Sequence, residues 1–343
     1  MEMLKDMYNG FEISVDWLEF TLKIKNIVSA CSLVGLDFAD FNVKENGALG
    51  YSKYGKHKSC SIAIFWQGND DMGCHFRVTG SSIFIFFQGF ILSRSEVTPF
   101  GTIAVNVEEF SRTYFPLLFK TIRDNGKITR LDLALDDYCG KYYSTESILE
   151  CLNNNMIISK FKNFESIIKR KISCSELKGH TIYFGSRVSD IFLRVYDKKL
   201  EKDSELDFWN RWELELKGDK ANDVIDIIIK NDCCGVLFFE ILNEYLRFIN
   251  LDRTERKNCT TQKLWLDFLG NVSKCHLSVN KSIKTIDSKI EWINKQCMPT
   301  LSGIIKYFDG DMSFIYNQLE GSYLRNNLDN KMLFQKEVDY VIQ

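Results

Sequence analysis

Three prolines in 343 residues, with no glycine- or serine-rich tract, leave no place for a long flexible linker or a disordered tail. Domains, if several, are therefore expected to be closely joined. No C-x-x-C pair and no secretory signal accompany the 11 cysteines, so they read as reduced thiols of a cytoplasmic protein. Their odd number also speaks against a disulfide framework. Net charge is nearly absent: 44 basic against 46 acidic residues give -2, which argues against coating nucleic acid or an acidic membrane by bulk electrostatics. The most apolar run, SSIFIFFQGFIL at 81–92, is short and is interrupted by Gln88 and Gly89, so no membrane segment is expected. There is no internal repeat, no P-loop, no G-x-G-x-x-G, no G-x-S-x-G and no H-E-x-x-H. The four histidines, His57, His75, His180 and His276, stand singly, and a histidine-based metal site is hard to build from them.

What is present is a chain 45 % hydrophobic, enough to bury a large core. FEISVDWLEFTLK alternates around Ile13, Val15 and Trp17 as an opening strand, and a helix is expected near residues 24–38. Asp16 and Trp17 could be functional there, but strand packing is the better reading. Short β-type runs then follow at YGKHKSCSIAIFWQG, GCHFRVTG and SSIFIFFQG, an antiparallel meander in prospect. Their aromatics Phe65, Trp66, Phe84, Phe86 and Phe87 could stack bases, although core filling suits strand aromatics better. Residues 107–126 have helical spacing of Phe110, Tyr114, Leu117, Leu118 and Ile122, stopped by Asn125-Gly126. Further helices are expected at STESILECLNNN, capped by Ser144 or Thr145, at DKANDVIDIIIK, at 235–250 and through most of the chain beyond 260.

Three strands carry a reactive face. In TRLDLALDD, period-2 alternation puts Arg130, Asp132 and Asp136 opposite Leu131, Leu133 and Leu135. FLRVYDK sets Phe192, Arg194, Tyr196 and Lys198 against Leu193 and Val195. RWELELK sets Arg211, Glu213, Glu215 and Lys217 against Trp212, Leu214 and Leu216. Each polar face alone could simply meet water. Side by side in one sheet, the strands would gather four carboxylates, three arginines and a tyrosine, a set suited to a divalent metal and a phosphodiester. Hard oxygen ligands from Asp132, Glu213, Glu215 and Asp136 point to Mg2+ or Mn2+. Arg194 and Lys198 could supply the positive charge a phenol with a pKa of about 10 needs to act as a nucleophile. Arg130 and Arg211 could either clamp a phosphate or hold the carboxylates. Upstream, Lys160, Lys162, Lys169, Arg170, Lys171 and Lys178, interleaved with Phe161 and Phe164, read as a DNA-backbone contact or as a solvated face.

KITRLDLALDDY, HTIYFGSRVSDIFLRVYDKKLE and RWELELK resemble, in order and spacing, the replication initiation factor family. Its members are rolling-circle initiators of Gram-positive plasmids and phages, and related relaxases of integrative conjugative elements. The similarity reaches weakly to SVDWLEFTL and IEWINKQCMPTL. The resemblance implies that one DNA strand is nicked by a tyrosine that becomes joined to the 5′ phosphate. By its place in the motif that tyrosine is Tyr196, with Tyr183 in reserve and Tyr138 and Tyr142 as remoter competitors. It also implies acidic metal ligands, DNA as partner, a host helicase and polymerase, and a homodimer. An initiator and a relaxase are not separated by these residues. A hydrolytic metal nuclease and a non-enzymatic DNA-binding protein are the competing readings. The expected class is α+β: a central, mostly antiparallel sheet carrying the active site, flanked by helices. A nuclease domain over 1–255 and a helical region over 256–343 are the expected division.

Overall fold

Alternation of the kind read from TRLDLALDD builds most of the molecule, because a strand with leucines on one side and ionic groups on the other can bury only one face in an apolar core. The computed structural model describes residues 5–328 apart from 9, 46, 95–106, 232–234, 271, 276–289 and 291–292. The chain divides into two compact units, Met1–Ser278 and Val279–Gln343.

In the first unit, β1 (Lys5–Tyr8) and β2 (Phe11–Leu22) lead through α1 (Ile27–Leu33) to β3 (Phe41–Lys44), β4 (Lys53–His57), β5 (Ile62–Trp66) and β6 (Cys74–Thr79). Next come α2 (Ser82–Leu92), α3 (Val107–Asn125), β7 (Gly126–Asp137), α4 (Thr145–Asn153), β8 (Ile157–Ser159), β9 (Phe164–Arg170), β10 (Leu177–Phe184) and β11 (Ile191–Asp197). The unit continues with α5 (Lys198–Lys202), β12 (Asn210–Lys217), α6 (Gly218–Asn231), α7 (Gly235–Tyr245), β13 (Leu246–Phe248) and α8 (Lys263–Leu269). Strands β3-β4-β5-β6-β2-β7-β12-β11-β10-β9 form one sheet in that order, with β1 added beside β2, and β13 pairs with β8 separately. Every pairing in the large sheet is antiparallel. The fold is thus α+β, as expected from the sequence.

One face of the sheet is apolar. Leu131, Leu133 and Leu135 of β7, Trp212, Leu214 and Leu216 of β12, and Leu193 and Val195 of β11 are buried there with residues of α2, α3, α6, α7 and α8. Each such side chain contributes about 1.5–3 kcal/mol on leaving water. The helices occupy this face, so the ionic groups of β7, β11 and β12 are left on the other. Ser144 caps α4 in a reciprocal box: its side chain accepts from Ser147 N at 3.1 Å, and its own N–H donates to Ser147 Oγ at 2.9 Å.

Four expectations are corrected. Residues 82–92 form helix α2, not a strand: Phe86, Phe87, Phe90 and Ile91 are buried on it. An apolar run this continuous has no period to distinguish the two. The close approach of α2 to the end of α1 depends on glycine, since a Cβ on Gly35 (φ 75°) would lie 2.4 Å from Phe90 Cα. The helix read over 235–250 stops at Tyr245, and 246–248 pairs with β8. The strand carrying Tyr196 ends at Asp197, whose side chain accepts from Leu200 N at 2.8 Å and so starts α5 with Lys198 as its first residue. Finally, the chain beyond 255 does not leave the first unit at once. Trp265, Phe268 and Leu269 of α8 are buried against Trp212, Tyr143 and Phe239. The contact division falls after Ser278 rather than after residue 255.

In the second unit, a π-helical turn (Ile293–Cys297) leads into α9 (Met298–Tyr307), and α10 (Ser313–Leu328) follows, in line with a helical C-terminal part. No described helix is long and apolar enough to cross a membrane.

Candidate active site

Register aligns the three armed strands. Across β11 and β12, Arg194 faces Glu213 and Tyr196 faces Arg211. Across β12 and β7, Arg211 faces Asp136 and Glu215 faces Asp132. On this face Asp132, Asp136, Glu213 and Glu215 are buried beneath one another's partners. Buried carboxylates must be paired to be tolerated, and here arginines pair them.

Two networks result. In the first, Arg211 donates to both oxygens of Asp136, Nε to Oδ1 at 2.8 Å and Nη2 to Oδ2 at 2.5 Å, and Nη1 reaches Asp16 Oδ1 at 2.7 Å. Trp209 Nε1 adds a bond to Asp136 Oδ1 at 2.6 Å. Arg211 is therefore a holder of carboxylates, and Asp136 is committed to Arg211 and Trp209, apart from the other three acids.

The second network surrounds Tyr196. Its hydroxyl donates to Glu213 Oε2 at 3.1 Å and accepts from Lys198 Nζ at 3.1 Å. Lys198 also pairs with Glu201 at 2.6 Å. Arg194 binds Glu213 and stands 3.7 Å from Asp132 Oδ2. Arg130 binds Asp132 at 2.8 and 2.6 Å and Glu215 at 2.7 Å, while Lys217 reaches Glu215 at 2.5 Å. Two guanidinium groups thus draw Asp132, Glu213 and Glu215 into one neighbourhood. Arg194 Nε is buried without a hydrogen-bond partner.

Electrostatics separates these groups. Burial, and then the Glu213 and Glu215 carboxylates, push the Asp132 carboxyl up to about 7 against the pull of Arg130. Burial would also raise Glu213, but Arg194 outweighs it and holds that group below the usual carboxylate range. Burial and the Glu213 charge raise the Tyr196 phenol above its ordinary value, with Arg211 pulling the other way. Asp132 is a carboxylate short of positive charge. Among the described residues no three acidic, histidine or cysteine side chains converge in ligating geometry, because these carboxylates turn onto arginines. In donor type and neighbourhood, Asp132, Glu213 and Glu215 still fit a hard divalent cation.

A family model described as "Replication initiation factor" matches residues 126–319, more than half of the chain. The chain belongs to the replication initiation factor family. It is 26 % identical over 304 residues to a Bacillus subtilis (strain 168) protein named "Putative DNA relaxase NicK", covering 85 % of this chain and 80 % of that one. It is also similar to the structure of a rolling circle replication initiator protein from Geobacillus stearothermophilus. That likeness has a TM-score of 0.65 and 28 % identity, and covers 78 % of this chain and 99 % of the other.

The tyrosine and acidic motifs read from the sequence meet in the second network. Other participants were missed. Asp16 reaches Arg211 and Trp209 reaches Asp136, but one lies on a strand read as packing and the other just before β12. Trp17, Glu19, His75 and Arg77 of β2 and β6 lie on the same face: Arg77 Nε bonds Glu19 Oε1 at 2.7 Å, and Trp17 Nε1 bonds the same oxygen at 2.8 Å. His75 Nε2 lies 3.3 Å from Glu19 Oε2 but off hydrogen-bond alignment. The alternation of Arg77 with Phe76 and Val78 on β6 was the available signal. Tyr183, the reserve tyrosine, faces Arg194 from β10 and stacks on Phe192 at 5.6 Å. Lys169 and Arg170 lie on the outermost strand β9, with Lys171 just beyond, and all three are exposed. Arg170 Nη1 bonds Ser175 O at 3.0 Å.

Proposed function

We propose that this protein nicks one strand of DNA by attack of the Tyr196 oxygen on a phosphodiester, leaving a 5′-phosphotyrosyl linkage and a free 3′-hydroxyl, and rejoins the strand by the reverse step. The observation that carries this is the position of the phenolic oxygen, 3.1 Å from a carboxylate oxygen and 3.1 Å from an ammonium. Glu213 can accept the phenolic proton as the new oxygen–phosphorus bond forms, and Lys198 steadies the charge on the oxygen. A phosphate bound here would meet the part-exposed side chain of Arg194, the cation two residues away on the same strand face. Because the phosphotyrosyl bond retains the energy of the phosphodiester, rejoining needs no nucleotide, in keeping with a sequence that has no P-loop.

Asp132, Glu213 and Glu215 would hold Mg2+ or Mn2+. When bound, such a cation polarises the scissile phosphate and stabilises the leaving oxygen. Arg130 and Arg194 then keep the three carboxylates together and help neutralise their charge. Lys169, Arg170 and Lys171 extend the contact along the DNA backbone. On this reading the free 3′-hydroxyl is a primer for a host polymerase working with a host helicase, and a homodimer is the expected assembly. Single-stranded oligonucleotides from the element carrying the gene provide the test on denaturing gels. Wild type should give a nick and a covalent adduct, and Tyr196→Phe neither. Nicks without adduct would favour water as the nucleophile.

A further inference from the structure

A β-bulge decides what β2 presents to the open face. Ile13 and Val15 are buried on the core side, and continued alternation would send Trp17 after them. The pairing of β2 with β7 instead shifts register between Val15 and Trp17. Beyond the shift Leu18, Phe20 and Leu22 take the core positions. Bulges interrupt the ladder and re-aim side chains beside functional sites. This one delivers two: Asp16 to Arg211 at 2.7 Å, and Trp17 to the open face, where its partner across β7 is Asp132.

Trp17 is fixed in place there yet remains only partly buried. Its indole N–H bonds Glu19 at 2.8 Å, and Glu19 is itself held by Arg77. The Arg130 guanidinium lies 4.3 Å from the indole centroid and that of Arg77 lies 5.8 Å from it; Arg77 is also 5.6 Å from the Phe65 ring. The result is a pre-set aromatic with two cations beside it, one of which also binds Asp132. On the far flank Tyr183 stacks on Phe192 with Arg187 at 5.0 Å. Strands β10 and β2 are four places apart in the sheet, about 19 Å at ordinary strand spacing. A strand of unpaired nucleotides laid across β11, β12 and β7 would therefore meet an aromatic beside a cation at either end.

We propose that Trp17 is a stacking platform for an unpaired nucleobase a few nucleotides along from the phosphodiester that Tyr196 attacks, flanked by Arg77 and Arg130; this rests on the nicking function proposed above. Stacking of this kind tolerates any base and combines naturally with backbone-binding cations. The test compares binding of a thymidine oligonucleotide of about twelve residues with that of an abasic oligomer of equal length. Trp17→Ala should weaken binding of the thymidine oligomer roughly 5- to 100-fold and leave binding of the abasic oligomer unchanged. Trp17→Phe should retain most of the affinity, which a general folding defect would not allow for one oligomer alone. Equal loss on both oligomers, or no loss on either, overturns the proposal. Adduct formation by wild type on single-stranded DNA from the gene's own element is measured in parallel. If adduct forms but Trp17→Ala shows no base-dependent loss, only the platform fails; if no adduct forms on any strand, the nicking function fails and the platform with it.

Discussion

The two ionic networks on the open face both pair arginines with acids across β7 and β12, yet one is saturated and the other is not. Around Arg211, both Asp136 oxygens and one Asp16 oxygen are matched by donors, and Trp209 adds another. Around Tyr196, Arg194 keeps a buried N–H without an acceptor, and Asp132 is pushed up to about 7 by burial and by two neighbouring acids. A saturated network can do little but hold strands together. An unsaturated one has room to gain a ligand: a phosphate against the part-exposed Arg194 side chain, a cation for the excess acid.

The sharpest way to break this comparison is to remove one carboxylate from each network. Asp136→Ala leaves Arg211 with Asp16 alone and should cost about 3–5 kcal/mol in chemical denaturation. Asp132→Asn should behave differently. Since the folded-state value of Asp132 is raised from 3.8 to about 7, its favourable contribution is present at acid pH and lost as pH rises through about 7. At about pH 8 the asparagine should therefore lose little or no stability, while nicking disappears. Similar destabilisation by both variants would erase the distinction.

A second contrast lies on the N-terminal half of the same face. Burial raises the Glu19 carboxyl, but the neighbouring His75 ring and the bonds from Arg77 and Trp17 outweigh it and bring it down from 4.5 to about 2. A lowered acid stabilises the fold above its unfolded value, and that contribution is lost as pH falls through the folded one. The difference in unfolding free energy between wild type and Glu19→Gln should shrink by about 3 kcal/mol between about pH 5 and pH 2. A constant difference would mean that Glu19 is not held by its cations.

How far the sequence led follows from which interactions leave a local trace. The three armed strands were legible because period-2 alternation separates leucines from arginines and acids, and the pairing register then made neighbours of Arg194 and Glu213, and of Glu215 and Asp132. The bulge at Asp16 leaves no such trace: FEISVDWLEF alternates acceptably in either phase, so Trp17 reads as core until the pairing is seen. SSIFIFFQGFIL has no polar phase at all, and only its length favoured a helix. Lys198 was placed on a strand because FLRVYDK alternates to its end, although Asp197 is a good helix cap. Trp265 and Phe268 joined the first unit through contacts with Trp212 and Tyr143, which are distant in sequence.

The smallest expected effect concerns the sheet edge. Neutralising Lys169, Arg170 and Lys171 together should flatten the log–log salt dependence of single-strand affinity by about 0.7 per lost phosphate contact, about 2 in all. An unchanged slope would make β9 a solvated edge whose charges guard against strand addition.

The central claim is that Tyr196 is the nucleophile, and peptide mapping of the protein–DNA adduct tests it most directly. Mass spectrometry of the digested adduct should place the 5′-phosphate on the peptide containing Tyr196, and the adduct should be absent from Tyr196→Phe protein that still binds the same strand. A phosphotyrosyl linkage at Tyr183, or an adduct formed by Tyr196→Phe at near wild-type yield, would contradict it.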